Sequence, residues 1–200
     1  MTIAYLALLG LVAIGRLVEL GISRRNQRQL GKQGVRKVAE PHFRWMIFLH
    51  GGVLIAAAVE VVILHRPLIP ALAAPMAVLF VFANLLRWWV IRTLAGHWNV
   101  EVMASSQVGV VTAGPYRWVR HPNYVAVVIE LFALPMIHTA WITALVATIA
   151  NLEILRRRLA VEDGVLMTNP VYRATMGSKP RFLPRFYKCR SVTRGREGAA

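Results

Sequence analysis

The densest group of residues able to do chemistry is GPYRWVRHPNY, Gly114 to Tyr124, in which prolines and aromatic rings alternate with arginines and one histidine. Pro122 suits the first turn of a helix because its missing N–H would be unpaired there anyway, and His121 then stands at the boundary. The exposed amides of such a first turn suit an anion or a polar cofactor group. The bland alternative is a basic, aromatic turn beside a membrane. A second group is RRRLAVEDGVL, Arg156 to Leu166, followed by YRATMGSKPRFLP, Tyr172 to Pro184. Glu162 and Asp163 come four and five residues after Arg158, so all three can share one helical face. An acidic pair amid so much positive charge can hold a cationic ligand group. Its bland alternative is a surface ion-pair cluster of small energetic value.

The elements that must position these residues are apolar. Of 200 residues 56% are hydrophobic and only 16% are charged, too few to cover the surface of a soluble domain. Long apolar runs cover residues 3 to 23, about 45 to 64, 68 to 91, 123 to 137 and 139 to 155. Each approaches or exceeds the roughly 20 residues that cross a bilayer as a helix. The last two are separated only around His138 and Thr139, and Pro135 favours a tight hairpin over one bent span. The expected fold is therefore all-α, a single polytopic domain of about five transmembrane helices.

The charge sets an orientation. Net charge is +15, and 21 of the 24 Lys and Arg fall in three segments, seven in 24 to 44, three in 92 to 120 and eleven in 156 to 196. Arg66 stands alone in a presumed outer loop, so the positive-inside rule puts the three basic segments in the cytoplasm and the N-terminus outside. Trp45, Trp88, Trp89, Trp98 and Trp118 gather near the same span ends, where amphipathic rings prefer to sit. The first span has no basic residue before it and carries Arg16 and Glu19, so it reads as retained rather than as a signal peptide. Attraction to anionic lipid head groups explains the basic charge better than nucleic acid, for which no module is present. One cysteine, Cys189, excludes an internal disulfide. There is no internal repeat, and residues 191 to 200 read as a disordered tail.

Charges inside spans are costly and usually face a bundle interior. Arg16 and Glu19, three apart, are expected to pair with each other. Glu60 is expected at the outer interface, and His50 and Asn84 are candidates for interhelical hydrogen bonds. Glu130, eight residues after Pro122, lies about 12 Å up its helix and should be buried. Arg87 either snorkels outward or points into the same interior, so structural pairing and a pocket role stay open for both.

Together these motifs resemble the isoprenylcysteine carboxyl methyltransferase family, membrane enzymes that use S-adenosylmethionine. The resemblance runs from about Leu94 to Pro184: a GHWN segment (Gly96 to Asn99), the GPYRWVRHPNY run, an Arg before an acidic pair, and a closing pattern of Tyr172, Met176, Gly177, Arg181 and Pro184. EPHFRWMIFLH (Glu40 to His50) and HPNYVAVVIELFALP (His121 to Pro135) look closest to a bacterial branch associated with alkylpyrone O-methylation, which implies the inner membrane. The resemblance implies cofactor-holding roles for His121, Pro122, Tyr124 and Glu162, and a place beside acceptor or cofactor for Arg158. Arg87, Trp98 and Glu130 are then candidates to face a lipophilic or prenylated acceptor. Two positions depart from the family pattern: Asp163 stands where a second glutamate is usual, and Met167 to Pro170 replace a Phe-Gly-rich segment.

Methyl transfer from a sulfonium to an ionised carboxylate or acidic enol needs positioning more than a strong base. Arginine can orient such an oxyanion through paired donors, and Arg158 is the first choice. The implied cofactor pocket is closed by residues 93 to 122 and 156 to 184, with a tunnel between spans for the acceptor. Competing readings are a sterol-reductase-like enzyme using NADPH and a small transporter or lipid-binding subunit. Metal chemistry is not expected, because the histidines at 42, 50, 65, 97, 121 and 138 form no ligand spacing. No phosphate-binding glycine loop appears.

Overall fold

The structure, a computed structural model, describes residues 1–38, 43–104 and 109–184. Cys189, the 191 to 200 tail and the Glu40 to His42 part of one motif lie outside the described residues. The helices are α1 (Thr2–Lys32), α2 (Phe43–Ile63), α3 (Pro70–Leu94), α4 (Pro122–Met136), α5 (Trp141–Leu166) and the short α6 (Pro170–Met176). Among the described residues α1, α2 and the helical stretch containing α3 are long and apolar enough to cross a membrane. The expected all-α, polytopic architecture is therefore what the chain adopts. A two-residue ribbon, β1 (Arg36–Lys37) against antiparallel β2 (Met103–Ala104), ties two of the connecting segments together.

The fourth and fifth expected spans form a hairpin, as Pro135 favoured. Pro135 sits in the last turn of α4, so the one ladder bond it cannot donate is lost where the helix is already ending. The turn depends on Thr139, which takes a positive φ of 54° and anchors itself by donating its hydroxyl to the Pro67 carbonyl at 2.6 Å. The first helix is longer than its apolar run. It continues to Lys32 because Ser23, Asn26 and Leu30 find buried partners beyond the last apolar turn.

Glu60, expected at the outer interface, does not face solvent. It is buried, and its carboxylate accepts from the Ile142 and Thr143 amides at 3.2 and 2.8 Å and from the Thr143 hydroxyl at 2.8 Å. That places a negative charge on the N-terminus of α5, where the helix dipole and the unpaired first-turn donors both favour it. Arg66 closes the site at 3.0 Å.

The expected Arg16–Glu19 pair exists at 2.5 Å but is half of a larger unit. Arg16 also reaches Glu130 at 2.8 Å, and Arg87 bonds Glu130 at 2.6 Å and lies 3.6 Å from Glu19. Two cations and two anions from α1, α3 and α4 thus neutralise one another at membrane depth, the arrangement under which buried charge is tolerated. Arg87 does not snorkel outward; it is 4% exposed.

Candidate functional site

The segment from Gly114 to His121 is pinned from two sides. Gly114 takes φ 55°, and a Cβ there would collide with the Thr93 hydroxyl and crowd the Trp89 indole, so only glycine lets this strand of chain lie on α3. The Arg120 and His121 amides donate to the carbonyls of Pro180 and Arg181, each at 2.9 Å, and Lys179 donates to the Tyr116 carbonyl at 2.7 Å. The two motifs that are far apart in sequence are therefore one surface.

Pro122 opens α4 and His121 is its N-cap, as the sequence indicates. The His121 ring is buried between two carboxylates of α5, with Nε2 2.9 Å from Oδ1 of Asp163 and Nδ1 3.6 Å from Oε1 of Glu162. Tyr124 stacks on His121 at 5.3 Å and donates its hydroxyl to Glu162. Burial alone would lower the His121 pKa, but hydrogen bonds to and the charges of Glu162 and Asp163 carry it above the ordinary value. Burial pulls the Glu162 carboxyl upward, and His121, Tyr124 and Arg158 overcome this and hold it below the carboxylate range. An imidazolium between two carboxylates is the state this geometry favours.

Asp163 departs from the usual glutamate and has a distinct task. It accepts from Arg120 at 3.1 Å, from Arg181 at 2.9 Å and from His121, so it binds α5, the start of α4 and the C-terminal segment together. Glu162 borders the cavity, and Asp163 does not. One more methylene at 163 is not needed for this clamp.

On the far wall, the turn after α3 is held by α1. Asn26 donates to the carbonyls of Ala95 and Trp98 at 2.9 and 2.8 Å, and the Ser23 hydroxyl accepts from the Val100 amide at 3.1 Å. Trp98 differs from the other tryptophans expected at the interface: it is fully buried against Val90 and Ile91 and forms part of the wall. Arg158 spans the gap, donating to the Val100 carbonyl at 2.9 Å, contacting the Met46 sulfur, and lying 5.9 Å over the Tyr124 ring.

These walls enclose a cavity of about 930 Å³ that runs from the basic end into the bundle. Its volume lies at the upper end of the range for small-molecule sites, about 300–1,000 Å³. His121, Tyr124, Arg158, Glu162, Trp98 and Arg87 all border it. Pro122 and Glu130 do not: Pro122 shapes the helix start, and Glu130 stands behind Arg87 and fixes its guanidinium.

Asn123, Asn151 and Tyr172 also border the cavity, and the sequence reasoning passed over them as site residues. Asn123 has a signal in hindsight, since it lies between the proline and tyrosine of the HPNY run. Its buried Oδ1 has no hydrogen-bond partner among the described residues, so it is available to a donor group on a ligand. Burial pushes the Tyr172 hydroxyl up to about 12, which keeps it a donor. The segment Met167 to Pro170, where the family pattern is replaced, contributes Thr168, Asn169 and Pro170 to the rim, with Asn169 capping α6 through the Val171 amide at 2.9 Å.

A helical membrane-spanning bundle with a deep cavity at its basic end defines the class of protein. The model of the isoprenylcysteine carboxyl methyltransferase (ICMT) family matches residues 76–168, from α3 through the acidic pair. The match falls on the segments that build the cavity. The chain is 28% identical over 159 residues to the uncharacterized protein YpbQ of Bacillus subtilis (strain 168), covering 80% of this chain and 94% of that protein. In fold it is similar to a eukaryotic intramembrane Ras methyltransferase ICMT, with a TM-score of 0.50 and 20% identity over 70% of this chain. The chain spans only about half, 52%, of that enzyme's length.

Proposed function

We propose that the protein is an integral membrane methyltransferase that uses S-adenosylmethionine to methylate an oxygen, a carboxylate or acidic enol, on a lipophilic acceptor. The observation that carries this reading is Glu162. In a chain that matches the ICMT family, it is a carboxylate held ionised by His121 and Tyr124 on the wall of a cavity of cofactor size. The donor set fits the cofactor. Glu162 suits a cationic group, Asn123 Oδ1 suits an amino group, and the Tyr172 hydroxyl remains a donor.

When bound, S-adenosylmethionine supplies an electrophilic methyl group on a sulfonium. The residues of this chain do the remainder. His121, kept protonated between its two carboxylates, orients Glu162 and lowers the cost of burying it. Arg158 presents its guanidinium to the acceptor oxyanion, a geometry that suits the planar fork of arginine. The acceptor needs no strong base, because a carboxylate with a reference pKa of about 4 is already ionised at neutral pH. Apolar side chains along the deep part of the cavity exclude water, which leaves the oxyanion more reactive. Following the positive-inside rule, the cofactor enters from the cytoplasmic face of a bacterial inner membrane and the acceptor from the bilayer. Resemblance to the alkylpyrone branch makes a pyrone enol the first acceptor to try.

Equilibrium titration of the purified protein in detergent tests the reading. S-adenosylmethionine should bind and NADPH should not, and Glu162→Gln should weaken the first by tenfold or more. Binding of NADPH alone, or of neither, overturns it.

A further inference from the structure

The deep part of the cavity holds an amide that the bundle does not use. Asn151 lies on α5 within the apolar part of that helix, borders the cavity and is only 3% exposed. Its Nδ2 has no hydrogen-bond partner among the described residues. Nearby, Asn84 donates to the Phe80 carbonyl at 2.9 Å, and the carboxylates of Glu19 and Glu130 are paired with Arg16 and Arg87, whose Nε atoms likewise have no partner among the described residues. A buried amide without a partner is costly, and a leucine at the same place would avoid that cost.

Its position relates it to the proposed chemistry. Arg158 follows Asn151 by seven residues, so both project from the same side of α5, about 10 Å apart along the helix axis. Across the cavity on α2, His50 Nδ1 is 2.8 Å from the Met46 carbonyl. A carbonyl only accepts, so that nitrogen carries the proton and Nε2 is left as an acceptor. The same lining includes the apolar Leu54, Val127 and Leu155. The deep chamber is therefore not a plain hydrocarbon slot.

Resting on the methyltransferase reading above, we propose that Asn151 recognises a carbonyl or hydroxyl oxygen in the body of the lipophilic acceptor, within about 10 Å of the oxygen held at Arg158. The acceptor is an oxygenated amphiphile rather than a simple fatty chain with one acidic end. A single neutral hydrogen bond of this kind gives roughly five- to tenfold discrimination against an analogue that lacks the oxygen.

The test compares hexadecanoic acid with its 4-, 6- and 8-oxo derivatives, binding each to the full-length protein in detergent with S-adenosylhomocysteine present. The wild type should bind at least one oxo acid about fivefold or more tighter than hexadecanoic acid. Asn151→Leu should bind all four alike, with cofactor affinity unchanged. Should that variant fail to fold, Asn151→Ala carries the same comparison. A wild type that does not distinguish the four acids, or a preference that survives in the variant, overturns the assignment. The readout is binding, so it stands apart from the cofactor titration: loss of cofactor binding by the wild type would sink the methyltransferase reading instead.

Discussion

Nε2 of His121 lies 2.9 Å from Oδ1 of Asp163, joining the first residue of α4's cap to the last turns of α5 across 42 positions of sequence. The same ring faces Glu162 through its other nitrogen. One imidazole thus couples the carboxylate that anchors the fold to the carboxylate that lines the cavity.

The protonation of that ring sets a pH dependence. His121 has a raised pKa in the folded protein, so its contribution to stability is complete below about pH 6.5 and is lost as pH rises through the folded value. Glu162 and Asp163 have lowered values, so their contributions are complete above about pH 4 and are lost as pH falls through the folded values. Thermal unfolding in detergent should show a plateau between these limits and a decline on the alkaline side. His121→Gln should flatten the alkaline decline; a wild-type slope in that variant would refute the coupling.

Removing Asp163 should damage the fold before it damages chemistry. Asp163→Ala leaves Arg120 buried without its anion and His121 with Glu162 alone, and breaking such a buried cluster costs about 3–5 kcal/mol. Chemical denaturation with S-adenosylmethionine absent reads this loss directly.

Arg158 should separate binding from turnover. Arg158→Lys keeps the charge and loses the planar fork, so kcat for any identified acceptor should fall tenfold or more while cofactor affinity stays within about twofold. Equal losses in both would assign the residue to the Val100 and Met46 contacts alone.

The intramembrane charge cluster should behave as a unit. Arg87→Met strands part of the Glu130 charge and should cost about 3 kcal/mol, while the double variant Arg87→Met with Glu130→Leu should cost less than the two single changes added together. Additive losses in a denaturation series would show that the groups act independently.

Gly114→Ala should destabilise by about 2 kcal/mol through its positive φ, with a further loss from the collision at Thr93. Adding Thr93→Ala should recover the second part and leave the first. Full recovery would mean that the backbone conformation is not the constraint.

Much of this protein was legible before any coordinates. Apolar runs, segregated arginines and Pro135 determine the helices, the hairpin and the basic end, because hydrophobicity and helix period are properties of neighbouring residues. His121, Glu162 and Arg158 could be nominated as a site by motif and helical spacing. Tertiary structure alone gave Asp163 its task, the clamp on Arg120, Arg181 and His121, since those partners come from other segments. It alone turned the Arg16–Glu19 pair into a four-charge cluster, set the Glu60 carboxylate on the first amides of α5, and left the Asn151 amide unpaired among the described residues beside a cavity. Those outcomes depend on what stands opposite each residue, and in a bundle that is set by helices far away in the chain.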